Sequence, residues 1–179
     1  MTITQTPTLT AGTWTIDPAH SEIGFAVRHL GMSKVRGRFN EFSGEATIGE
    51  DLTTARVSAR VDMSSIDTNN ADRDAHLRSG DFFAADTHPE MVFTSTYATE
   101  DTLTGELTIA GVTRAVELEV DFHGVVVDGY ETTRAGFSAS GTIRRSDWGI
   151  DFNAPLGMDG MLVSDKVQVE LEIQLVPES

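Results

Sequence analysis

The sequence predicts an all-β domain interrupted by one short helix. About eight segments alternate apolar and polar residues with the period of two that marks a half-buried strand. A single stretch, residues 64–93, breaks that alternation and carries helix-end signals instead. No segment repeats along the 179 residues, which argues against a propeller or solenoid.

Residues 1–12 are expected to be a flexible N-terminal segment, and 13–177 a single domain, since no linker and no shift in composition divides them. Residues 13–16 read as a short strand and Asp17-Pro18 as a turn. Ile23, Phe25 and Val27 then alternate with Gly24, Ala26 and Arg28. A glycine-punctuated segment beginning near Val35 carries Phe39 and Phe42, and Gly37 and Gly44 are expected to allow bends or bulges. Val57, Ala59 and Val61 alternate with Arg56, Ser58, Arg60 and Asp62.

In the stretch that breaks the pattern, Asn69 or Asn70 offers an N-cap oxygen and Asp72 and Asp74 follow in the first turn. His76 and Arg78 lie near the C-terminal end, where cations complement the helix dipole, and Gly80 is placed to close the helix in a left-handed conformation. The prediction is one helix over 69–79. Beyond it, 91–97, Thr102–Ile109 and 115–122 read as strands, with Val116, Leu118 and Val120 opposite Glu117, Glu119 and Asp121. Residues 131–143 intersperse small residues, and 166–175 is the cleanest period-two run of the chain.

Composition narrows the function. The chain has no cysteine, which removes a disulfide framework and a thiol nucleophile. A formal charge of −15, spread along the chain, repels phosphate backbones and anionic surfaces, so nucleic acid is not an expected partner. The first residues show no basic start and no apolar core of a signal peptide, and the expected location is cytoplasmic. Catalysis finds no support. Neither HExxH nor His-x-His occurs, and Asp86 with His88-Pro89 reads as a turn, so no metal is expected. Ser21 beside His20 lacks the G-x-S-x-G setting of a nucleophile elbow. Residues 157–160 lack the Lys and following helix of a phosphate loop. No cofactor is expected.

Four motifs lie in order along the chain. They are Trp14-x-Ile16-Asp17-x-x-His20-Ser21, continuing to Phe25 and His29; Ser65-Ile66-Asp67-Thr68 with Arg73-Asp74-x-His76-Leu77-Arg78-Ser79, Asp81-Phe82-Phe83 and Pro89-Glu90-Met91-Val92-Phe93; Gly105-x-Leu107-Thr108-Ile109-x-Gly111-Val112-Thr113; and Arg145-x-Asp147-Trp148-Gly149-Ile150. Together they resemble the YceI-like lipid/polyisoprenoid-binding family. Alternation alone leaves a sandwich and a barrel open. The resemblance implies the barrel: a lipocalin-like antiparallel β-barrel of about eight strands, with one short helix near one end and an elongated apolar ligand inside.

The implied function is non-catalytic binding or carriage of a long-chain isoprenoid lipid, an isoprenoid quinone or polyprenyl compound. Such a ligand needs a dry channel. Burial contributes about 0.8 kcal/mol per CH₂, so several isoprene units supply a gross driving force above ~15 kcal/mol, reduced by the cost of ordering the chain. Nine Phe and six Met suit the lining. The candidates are Phe25, Val27, Phe39, Phe42, Phe82, Phe83, Phe93, Phe137, Trp148, Met158 and Met161, each equally consistent with plain core packing. Small Gly24, Ala26, Gly37, Ala59, Ala135 and Ala139 leave a channel if they point inward.

Phe82 and Phe83, directly after the helix, fit a plug at one barrel end. Head-group candidates are His29, Arg73, His76 and Arg145; the competing role for Arg73 and Asp74 is to fix the helix over the barrel, and for Arg145 to anchor a turn beside Trp148. The family also implies relatives that are exported or dimeric, and a lipid carrier implies transient membrane contact. Two rival functions stay open: an enzyme acting on an amphipathic small molecule, and a stress-response barrel without a lipid ligand.

Overall fold

The structure, a computed structural model, describes residues 9–150, 155–156, 160–161 and 163–178, with side chains for 9–150 and 163–178. In chain order the strands are β1 (Gly12–Ile16), β2 (Glu22–His29), β3 (Ser33–Phe39), β4 (Phe42–Ile48), β5 (Arg56–Asp62) and β6 (Ile66–Asp67). A single helix, α1 (Ala71–Arg78), follows. Then come β7 (Glu90–Ala98), β8 (Thr102–Ile109), β9 (Val112–Val127), β10 (Thr133–Arg144), β11 (Pro155–Leu156), β12 (Gly160–Met161) and β13 (Val163–Pro177).

Eight strands in the order β1-β4-β5-β7-β8-β9-β10-β13 pair antiparallel, and β13 returns to β1 to close a barrel. β13 is long enough to serve two partners along one edge. Its end pairs with β1 (Ile16↔Leu175), and its earlier part with β2 (Ile23↔Leu171). β2 continues through β3 to β6, which lies beside the helix. Between β1 and β2 the chain bends in a 3₁₀ turn, Pro18–His20, whose first free amide, on Ala19, donates to the Asp17 carboxylate. No helix among the described residues is long and apolar enough to cross a membrane.

The predicted helix forms with Asn70 as its N-cap, accepting from Arg73 N at 3.0 Å. Its end differs from expectation. Gly80 is not left-handed; Ser79 closes the helix in an extended conformation, and the amides of Phe83 and Ala85 return to the carbonyls of Leu77 and Arg78. The chain turns under its own helix, so the loose carbonyls find partners without a glycine.

Gly37 and Gly44 also depart from expectation. β2–β3 and β4–β5 run in unbroken register past them. Gly37 instead lies beneath the Phe25 ring, and a Cβ on Gly44 would stand 2.6 Å from Ile16 Cδ1. The missing side chains make room for inward ones. The register shifts fall elsewhere, between Ser95 and Tyr97 in β7, between Gly136 and Phe137 in β10 and between Val163 and Val167 in β13. The segment read as one glycine-rich unit is two consecutive strands that do not pair with each other: β3 lies between β2 and β6, and β4 between β1 and β5. At the β8–β9 hairpin, Ala110 and Gly111 both have positive φ (50° and 80°), the geometry a two-residue turn needs to follow strand twist.

Two apolar clusters fill opposite ends of the barrel. The helix end holds Phe39, Met63, Ile66, Trp148 and Ile150, with Phe25, Phe42, Phe82 and Phe83 packed against them. The other end holds Trp14, Ile48, Val125, Ala135 and Leu175, with Leu9 and Phe137 against them.

Candidate functional site

Between the two clusters lies a cavity of about 220 Å³ inside the barrel. Its wall follows from strand alternation. Val57, Ala59 and Val61 of β5, Val116, Leu118 and Val120 of β9, and Val169, Leu171, Ile173 and Leu175 of β13 all face inward. Polar lining residues are Glu45, Thr99, Glu100 and Thr102. Of these, three belong to the turn between β7 and β8 or its edge. Leu52 and Ala55, from the connection between β4 and β5, stand with them. Glu100 among them is exposed, so the lining runs out to the surface there, at the end away from the helix.

Among the aromatic candidates, Phe93 and Phe137 line the cavity. Phe137 stacks on Phe122 with ring centroids 4.9 Å apart. Phe25, Phe39, Phe42, Phe82, Phe83 and Trp148 gather at the helix end. Phe39 meets Phe25 at 5.7 Å and Phe83 at 6.5 Å, and the Trp148 indole donates to the Leu107 carbonyl at 2.9 Å. They form a packed floor. Val27 sits on β2 opposite Val35 and Val167. Met158 lies outside the described residues, as does the Met161 side chain. Ala59 and Ala139 face the cavity; Ala135 is fully buried in the far cluster, Ala26 is buried on β2, and Gly24 faces outward.

The aliphatic lining was visible in the alternation of β5, β9 and β13. What alternation does not carry is depth along the barrel, and hence which inward residues meet empty space. A larger concavity of about 580 Å³ lies on the outer surface, among Glu22, Glu119, Asp121, Glu170 and Glu172. It is a polar groove between outward-facing side chains, where Arg36 pairs with Glu170 at 3.2 Å.

The four head-group candidates all lie toward the helix end. Arg73 donates to the hydroxyl and carbonyl oxygens of Thr68 at 2.8 and 2.6 Å. Asp74, itself buried, accepts from the Thr68 amide at 2.9 Å and from its hydroxyl. One buried threonine thus ties β6 to α1. Arg145, also buried, donates to the carbonyls of Ile150, Val163 and Ser164 and holds the chain after β10 in place. His76 contacts Asp81 at 2.9 Å and the edge of Phe82 at 5.1 Å. His29 ends β2, opposite Val163.

The other motif residues with reactive side chains are likewise engaged. Ser21 bonds the Gln174 backbone through its hydroxyl. Asp17 accepts from Arg134 at 2.6 Å and meets His20 at 2.7 Å, and Arg134 also donates to Asp128 at 2.7 Å. Arg134, and then His20, hold the Asp17 carboxyl below the usual carboxylate range; Arg134 does the same to Asp128. The His88 ring packs against Gly111. No group of three or more potential metal ligands occurs among the described residues.

Closed strand order, an apolar interior and a helix at one end define the class: a lipocalin-like antiparallel β-barrel. The YceI-like domain model matches residues 14–175, and the chain belongs to that family. A UPF0312 protein of Staphylococcus epidermidis is 40% identical over 159 residues, 86% of this chain and 91% of the relative. Among solved structures, the YCEI protein of Campylobacter jejuni superposes with a TM-score of 0.71 at 28% identity, covering 85% of this chain and 90% of its own. A polyisoprenoid binding domain from Saccharophagus degradans gives 0.72 at 14% identity, covering 92% and 98%, a likeness of fold.

Proposed function

We propose that this barrel binds a long-chain isoprenoid lipid, a quinone or polyprenyl compound, in its lumen and carries it without covalent chemistry. The observation that carries the reading is the cavity itself: an interior wall mostly of valine, leucine, isoleucine and alanine, with three of its four polar residues at the β7–β8 turn. Such a space favours an apolar chain by removing it from water. The neighbour described as a polyisoprenoid binding domain shares the fold and adds weight to the choice of ligand. The reactive motif residues, bound to backbone carbonyls or to one another, fit a scaffold role in a non-catalytic protein.

The test is thermal unfolding with added isoprenoid. A ligand that binds only the folded state raises the melting temperature in proportion to the logarithm of its concentration. Farnesol and a short-chain quinone should each raise it, while a saturated sugar of similar mass should not. Absence of any rise across a set of isoprenoids would exclude the proposal.

One observation favours a second reading, a barrel without a lipid ligand. The cavity, about 220 Å³, is smaller than the roughly 300–1,000 Å³ usual for small-molecule sites. A long chain therefore extends out of the mouth or displaces part of the Phe-rich floor. Melting that responds to C10–C15 chains and not to longer ones would show that the floor holds.

A further inference from the structure

We infer that the mouth of the lumen selects an uncharged, hydrogen-bond-donating head group, such as an alcohol, and disfavours the phosphate ester of the same chain. This rests on the lipid-binding reading and names the ligand more closely. Among the described residues, no arginine, lysine or histidine lines the cavity. Among the described residues, no buried side-chain nitrogen or oxygen lacks a hydrogen-bond partner. Nothing in the interior is left to meet a polar group, and a polar group buried without a partner is costly. The head group therefore stays at the mouth.

The mouth is rich in acceptors. The β7–β8 turn carries Glu100 and Asp101, and the facing β4–β5 connection carries Glu50 and Asp51, all exposed. Hydrogen bonds from Thr53 hold Asp51 below the usual carboxylate range. The hydroxyls of Thr99 and Thr102 both donate to Asp101 Oδ1, at 3.0 and 3.3 Å, and the Thr99 oxygen in turn accepts from the Asp101 amide at 3.4 Å. Among the described residues of these two turns and the strand residues that adjoin them, the one cation is Arg56, at the start of β5. A phosphate brought here meets four carboxylates and one guanidinium, and hydroxyls whose protons are already committed. An alcohol meets acceptors for its proton and carries no charge to repel.

Calorimetric titration of the full chain with farnesol and farnesyl phosphate, identical except at the head, tests this. At low salt farnesol should bind roughly tenfold tighter, and the gap should narrow as salt screens the exposed carboxylates. Glu100→Lys should also narrow it, by improving the phosphate and not the alcohol. Equal or tighter binding of farnesyl phosphate to the native chain would overturn the inference while leaving the lipid-binding reading intact. Binding of neither probe would defeat that reading, and this inference with it.

Discussion

The ring of Phe93 lies flat across Gly105. A Cβ on that glycine would stand 2.5 Å from Phe93 Cζ and 2.6 Å from the Thr94 carbonyl oxygen. Because one of those neighbours is backbone, the strand pair cannot give way cheaply. Gly105→Ala should destabilise the fold by about 1–3 kcal/mol, read from chemical denaturation. It should also push Phe93 into the cavity and reduce the melting response to isoprenoids. Unchanged stability would show that β7 and β8 are looser than their register indicates.

Ala139 offers the opposite manipulation. It faces the cavity from β10, beside Val120 and Leu171. Ala139→Phe fills existing space, so stability should change little, while ligand-induced stabilisation should largely disappear. Full retention of the ligand response would place binding outside the lumen.

Thr68 joins two charged neighbours at the helix end through one hydroxyl. Thr68→Val keeps the shape and strips that hydroxyl from one buried and one partly buried contact. The expected cost is about 1–3 kcal/mol. Faster amide exchange should be confined to α1 and β6, with ligand response preserved, since the mouth lies at the other end of the barrel.

The Asp17–Arg134–Asp128 group makes a pH prediction. Both carboxyls are lowered from a reference of 3.8 by Arg134. A depressed folded-state value means that the contribution is present above the unfolded value and is lost as pH falls through the folded one. Native protein should therefore exceed Arg134→Met in stability at pH 6, and the difference should shrink steadily below about pH 4. A difference that is constant from pH 6 to pH 2 would assign the role of Arg134 to packing alone.

Much of the fold was legible because antiparallel strands write their faces into the sequence. Residues 166–175 announced β13, and Val116, Leu118 and Val120 announced the inward face of β9. The helix was legible from Asn70 and the charge order that follows it. The four motifs were legible as a family signature and harder to read as roles. Arg73, Asp74, Ser21 and Arg145 have the side chains of a binding site, yet each bonds a turn or strand carbonyl, amide or hydroxyl.

Phe93 and Phe137 line the cavity as expected, whereas the other aromatics gather at the helix end. Phe39, Phe83 and Trp148 are apolar and inward, as a lining must be, but large side chains pack together and close space. The cavity survives where smaller residues, Ala59, Val57 and Ala139, leave it. Gly37 and Gly44 were expected to mark bends or bulges because local sequence does not show the Phe25 ring or the Ile16 side chain arriving from another strand.

Native mass spectrometry of freshly purified protein, with the organic extract analysed for lipids, tests the central claim most directly. The account predicts a bound species of near one-to-one occupancy, with a prenyl chain and an uncharged head group, lost from Ala139→Phe. A clean apo mass that persists after incubation with farnesol and isoprenoid quinones would contradict it.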